Sequence, residues 1–156
     1  MPIKNYTTAV PADRTVGEIS ALLIRKGARE ITSQYDNNGK FVGIRFMMLV
    51  GGVPCCFQLP ANIDGVFRVL LRDEPFNFRR ASSKTDYEAK LRDRAEWVAW
   101  RILKDWIDAQ IAIIESGQVE PAQVFMPFAI TGNNITMFEA WVESNQKRLS
   151  ATSQVN

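Results

Sequence analysis

Arg94, Trp97, Arg101 and Lys104 recur at i, i+3, i+7 and i+10. On a helix that spacing makes one continuous strip. A tryptophan set among guanidinium groups can stack a nucleobase while the cations meet neighbouring phosphates. The competing reading is that Trp97 is covered by the 73–84 loop or the last helix, because large aromatics are mostly buried. Arg79 and Arg80 carry the basic character into a loop that also holds Phe76 and Phe78. Across 68–104, ten basic residues stand against six acidic ones, an excess larger than the +2 net charge of the whole chain. Basic and aromatic side chains interleaved in this way suit single-stranded nucleic acid or an acidic protein partner. A solvated face with i, i+4 ion pairs fits the same composition.

Other chemistry is narrowed by what the chain lacks. It has no histidine. That removes the commonest general base near neutral pH, every Ser-His-Asp or Cys-His site, and any zinc site built on imidazole. Carboxylate or lysine chemistry stays open. The two cysteines, Cys55 and Cys56, are adjacent. On a strand such neighbours point to opposite faces and do not bridge, so they read as small apolar residues of a reducing compartment. Glu88-Ala89-Lys90 has the ExK spacing of one nuclease class, but that motif belongs on a strand and this one falls in a helical stretch. Asp105 and Asp108 share a helix face and could touch a divalent cation, although solvated carboxylates are the simpler reading. Asn134-Ile135-Thr136 is a glycosylation sequon with no meaning outside secretion. The expectation is a non-enzymatic protein with no cofactor and no metal.

The elements that must position these residues follow from pattern. Tyr6 to Val10 is strand-like and stops at Pro11, as an edge strand or an ordered arm. Thr15-Val16-Gly17-Glu18 reads as a capping box opening a helix over 16–26, closed by Gly27. Ile31, Ser33 and Tyr35 alternate with polar neighbours; Asn38-Gly39 marks a type I′ hairpin turn. Strands over 41–50 and 53–59, joined by Gly51-Gly52, complete a three-stranded antiparallel meander. Ile63, Val66, Phe67, Leu70 and Leu71 then form an amphipathic helical stripe.

A second capping box, Thr85 to Glu88, opens a helix with no breaker before Gly117. Some thirty residues at 1.5 Å rise would span about 45 Å, enough for part of it to project or bend. Its apolar residues, from Leu91 to Ile114, cover an arc of about 180°, against the roughly 100° a surface helix needs. The spacing therefore predicts a central helix covered by the sheet on one side and by C-terminal helices on the other. Pro121 starts a short helix that Pro127 stops, and Gly132-Asn133-Asn134 is a turn. A third capping box, Thr136 to Glu139, opens a last helix expected to bury Phe138, Trp141 and Val142.

The predicted fold class is α+β: helix, three-stranded antiparallel meander, helix, then a long central helix and short C-terminal helices. One domain over 1–149 and a frayed tail over 150–156 fit the 156 residues, whose 46% apolar content can fill a core. The polar start of the chain is unlike a secretory signal and no stretch reaches the roughly 18 apolar residues of a membrane span, so a cytoplasmic location and no membrane partner are expected.

The chain resembles a family of small uncharacterised proteins associated with bacteriophage, prophage and other mobile elements. The likeness rests on Lys4-Asn5-Tyr6-Thr7-Thr8 with Val10-Pro11, Thr15 to Ile19, Gly27-Ala28, Tyr35-Asp36 with Gly39, Phe57-Gln58-Leu59-Pro60-Ala61-Asn62, and Ala99-Trp100-Arg101-Ile102-Leu103-Lys104-Asp105-Trp106. It spans about residues 4–115 and implies an accessory role of that kind, with no established activity to transfer. The helix–strand–strand–strand–helix order over 16–72 is also similar to double-stranded RNA-binding domains. Those begin their second helix with lysines, where this chain has Asn62-Ile63-Asp64, so that likeness is rejected.

The functional expectation is an accessory protein that contacts single-stranded nucleic acid through Arg79, Arg80, Arg94, Trp97, Arg101 and Lys104. The alternative is a protein-interaction module, such as an inhibitor or assembly factor, working through an acidic protein partner or as a homo-oligomer. Its surface would include Phe76, Phe78 and the exposed end of the long helix. An enzyme using carboxylates and a metal ranks third.

Overall fold

The computed structural model describes residues 1–152. The architecture is α+β, in the predicted order: α1 (Ala12–Arg25), β1 (Glu30–Tyr35), β2 (Phe41–Val50), β3 (Val53–Pro60), α2 (Ile63–Asp73), α3 (Lys84–Glu115), α4 (Pro121–Phe125), a 3₁₀ turn (Met126–Phe128) and α5 (Met137–Thr152). The sheet order is β1-β2-β3, all antiparallel.

Several local signals work as read and several do not. Thr136 and Glu139 cap α5 reciprocally: Glu139 Oε2 accepts from Thr136 N at 2.7 Å, and Thr136 Oγ1 accepts from Glu139 N at 3.2 Å. Thr15 does not cap α1. The helix begins three residues earlier, after Pro11, and Thr15 is fully buried inside it. Ala12, Asp13 and Arg14 are compatible with a first helical turn, so nothing holds the start back to Thr15. Likewise α3 is capped by Ser83, whose Oγ accepts from Asp86 N at 3.2 Å, rather than by Thr85. The β1–β2 hairpin forms at the predicted place with a different turn: only Gly39 has positive φ, and Asp36 Oδ1 accepts from the backbone of Asn38 and Lys40. A side-chain acceptor at Asp36 thus replaces the type I′ geometry.

The core joins one sheet face to three helices. Ile44, Phe46 and Met48 of β2 and Phe57 and Leu59 of β3 meet Ile19 and Leu23 of α1, Leu70 of α2, and Ala95, Trp100 and Ile107 of α3. Cross-strand partners Phe46 and Phe57 stack with centroids 5.3 Å apart. Cys55 and Cys56 are both free. The unbroken α3 has 32 residues and is flanked by α1 and α2. Trp106, further along it, touches Phe125 and Phe128 edge-on.

The C-terminal helix departs from expectation. Phe138 and Trp141 are 58% and 64% exposed, not buried, and Val142 is half-buried. The elements covering α3 are therefore α1, α2 and the Phe125–Phe128 corner, while α5 packs mainly on the 3₁₀ turn. Residues 150–152, expected to fray, complete α5; the rest of the predicted tail, 153–156, lies outside the described residues.

The first ten residues form an ordered arm without a strand. Asn5 takes a left-handed conformation (φ 62°), which asparagine tolerates. Its amide donates to Asp105 Oδ2 at 2.9 Å, and Lys4 Nζ lies 3.0 Å from the same oxygen. The Asn5 hydrogen bond, aided by Lys4 and opposed by partial burial, holds the Asp105 carboxyl below its ordinary range. A lowered folded pKa means stability present above the unfolded value of about 3.9 and lost as pH falls through the folded one. Asp105→Asn is expected to cost about 0.5–1 kcal/mol at pH 7 and to flatten the acid limb below about pH 4. Thermal melts at pH 7 and pH 3 measure both; an unchanged acid limb would refute the assignment.

Candidate interaction surfaces

The predicted strip is real as a helix face but not as a cationic one. Arg94 Nη2 lies 2.8 Å from Glu74, Arg101 Nη1 2.7 Å from Glu18, and Lys104 Nζ 2.5 Å from Asp108. Arg101 also donates to the buried Thr15 hydroxyl at 3.3 Å, tying α1 to α3. Arg94 Nε is buried with no hydrogen-bond partner. Trp97 is half-buried and packs on the core. It lines a shallow cleft of about 390 Å³ with Tyr87, Lys90 and Arg94, but Glu74 and Asp93 face the same space. A phosphate entering there meets two carboxylates, and the nearby guanidinium is already engaged.

Two of the six predicted contacts are exposed and lack ion-pair partners among the described residues: Arg79 and Arg80. They sit in a tight turn held by Asn77, whose Oδ1 accepts from Arg79 N at 2.9 Å and whose carbonyl accepts from Arg80 N at 2.9 Å. Phe78 beside them is 81% exposed. Phe76 is half-buried, edge-on to Phe78 at 4.7 Å and tilted against Tyr87 at 5.7 Å. The six residues thus divide between an exposed turn and a neutralised helix face.

Asp105 and Asp108, weighed above as cation contacts, are taken up by protein cations and the Asn5 amide. Among the described residues no cluster of three metal-ligating side chains occurs, and no helix is long and apolar enough to cross a membrane.

The most prominent apolar surface lies elsewhere. Beside β3, Ala129 pairs with Phe57 and Ile130 with Thr136, so residues 129–136 extend the sheet edge and deliver the chain to α5. Between them opens a groove of about 600 Å³ walled by Pro60, Pro127, Phe128, Ile130 and Phe138. A second hollow of about 330 Å³ shares Pro60 and Phe128 with it and continues along Val66, Ile102, Leu103 and Trp106. From this corner α5 carries Met137, Phe138 and Trp141 outward, 45–64% exposed, with the Phe138 and Trp141 rings stacked at 6.4 Å. Met126, 43% exposed, lies in the 3₁₀ turn on which α5 packs. Sequence pattern found the stripe on α5 but assigned it to the core. The signal available was the polar run after Val142, which leaves the apolar stripe too short to bury the length of α5 against its own core.

The sequence matches no protein-family model, and neither a curated protein nor a solved structure matches it significantly.

Proposed function

We propose that this chain is a non-enzymatic protein-interaction module, an accessory protein of the phage or mobile-element kind, whose contact surface is the apolar face of α5 and the groove at its base. One observation carries the reading: Phe138 and Trp141, stacked on each other, are more than half exposed on α5, which packs mainly on the 3₁₀ turn. Large aromatics left in water at a groove edge are what protein interfaces use as anchors. The lack of histidine supports a binding role over catalysis.

A photo-crosslinking amino acid placed at position 141, and separately at position 80, tests this in cells that carry the gene. The expected product at 141 is a protein–protein conjugate unaffected by nuclease. No conjugate at 141, or a nuclease-sensitive one, overturns the reading.

A second reading, contact with single-stranded nucleic acid, is favoured by Phe78, Arg79 and Arg80 alone, the exposed part of the predicted set. Two unpaired cations support only weak, steeply salt-dependent binding. In an anisotropy titration at 20 mM salt, any binding of a single-stranded oligonucleotide should vanish in Arg79→Ala/Arg80→Ala. It should survive Lys104→Ala, whose charge Asp108 already balances. Equal losses in both variants would restore the long strip as the site.

A further inference from the structure

We infer that the occupant of the α5 face is a second copy of this chain, with the two α5 helices antiparallel across a two-fold axis. The inference rests on the interaction-module reading and names its partner. Its first support is the shape of the seam. Phe138, Trp141, Val142 and Asn145 fall at i, i+3, i+4 and i+7, a stripe narrow enough to suit a facing helix rather than a sheet. Asn145 donates through Nδ2 to the Trp141 carbonyl at 3.0 Å, and among the described residues its side-chain oxygen has no donor, so it can accept across the seam. A single polar residue in an apolar seam is the device by which paired helices set register.

Charge gives the second support. Along α5 the acidic residues Glu139 and Glu143 lie in the first half and the basic residues Lys147 and Arg148 in the second. In an antiparallel pair each acidic half lies beside the other copy's basic half, and the helix dipoles oppose. A parallel pair would set like against like. Two-fold symmetry makes both contacts at once, because an isologous interface repeats every pairing.

Area sets the strength of the pair. Met126, Met137, Phe138 and Trp141 are 43–64% exposed. At about 200 Å² for a full large side chain they offer about 400 Å² per copy, and symmetry doubles it. That total, about 800 Å², lies below the roughly 1,200 Å² of a stable interface, so the pair is expected to be a weak dimer populated at high protein concentration.

Size-exclusion chromatography with light scattering at about 100 µM reads the result. The expected mass is twice the 17.7 kDa of the chain. Trp141→Asp should weaken association by at least tenfold and elute as monomer, with its circular dichroism unchanged because Trp141 is exposed. Glu143→Lys and Lys147→Glu/Arg148→Glu should each be monomeric alone and should dimerise when mixed, which also shows that both fold; Glu139 is left in place because it caps α5. A monomeric wild type overturns the inference. So does a dimer indifferent to Trp141→Asp, or a pair of charge variants that do not prefer each other. A wild-type monomer that still crosslinks to a different protein at position 141 would sink the second-copy partner and leave the interaction module standing.

Discussion

Replacing Trp100 by alanine is expected to remove about 3–5 kcal/mol of stability, a large share of the 5–15 kcal/mol a domain usually has. Trp100 is the largest fully buried side chain, with 0% exposure. Its ring meets Phe41 edge-on at 6.2 Å, and its Nε1 donates to the Phe41 carbonyl at 2.9 Å. Alanine therefore deletes the volume and also strands a carbonyl at the start of β2. Trp100→Phe keeps most of the volume and loses only the hydrogen bond, so it should cost about 1–2 kcal/mol. Urea unfolding of the three proteins gives both numbers. If alanine and phenylalanine cost the same, packing is not what Trp100 supplies, and the account of α3 as the centre of the core is wrong.

Trp100 also shows where pattern reading succeeds. Apolar period marked the elements because each buries a face: the alternation of Ile44, Phe46 and Met48 for a strand, the 180° arc of α3 for a helix covered on more than one side. Helix ends were legible where glycine must supply positive φ. Gly27 and Gly117 close α1 and α3, and in both cases the glycine amide and the one after it return to carbonyls of the last turn. Helix starts were less legible. Thr15, Thr85 and Thr136 all stand three residues before a glutamate, and only Thr136 caps. A capping hydroxyl works only if the preceding residues leave the helix; before Thr15 they continue it back to Pro11, and Ser83 pre-empts Thr85.

The site was legible in part, for a reason that lies in tertiary pairing. Helical spacing placed Arg94, Trp97, Arg101 and Lys104 on one face correctly. It could not say that Glu74, from the end of α2, and Glu18, from α1, would reach across to Arg94 and Arg101. Those partners are distant in sequence, so no local rule finds them, whereas Lys104 and Asp108 are an i, i+4 pair visible in advance. The exposed α5 face was missed for the opposite reason. Phe138, Trp141 and Val142 have the spacing of a buried stripe, and spacing alone does not distinguish a stripe covered by its own chain from one covered by another.

Glu96→Ala should be the next most damaging change, at about 2–4 kcal/mol. Glu96 is 7% exposed, a buried carboxylate on α3 four residues before Trp100. Its Oε1 accepts from Phe41 N at 3.0 Å and its Oε2 from Lys40 Nζ at 3.2 Å, while Asp93 takes the same ammonium at 2.6 Å. Residues 96 and 100 therefore hold both backbone groups of Phe41, one from each side, and pin the β1–β2 hairpin to the helix. Removing Glu96 leaves a backbone amide without its acceptor and a partly buried ammonium with one carboxylate instead of two. Glu96→Gln keeps an acceptor for the amide and should cost about half as much. The pair also sets a pH dependence. Burial alone would lower the Lys40 pKa, but the hydrogen bonds and charges of Asp93 and Glu96 outweigh it and raise the value. A raised folded pKa gives stability fully present below the unfolded value of about 10.4 and lost as pH rises through the folded one. Denaturant melts from pH 7 to 11.5 should show wild type losing more stability above about pH 10.4 than Lys40→Met. If the two curves fall in parallel, the hairpin is held by the Trp100 contact alone, and Glu96→Ala should then cost under 1 kcal/mol.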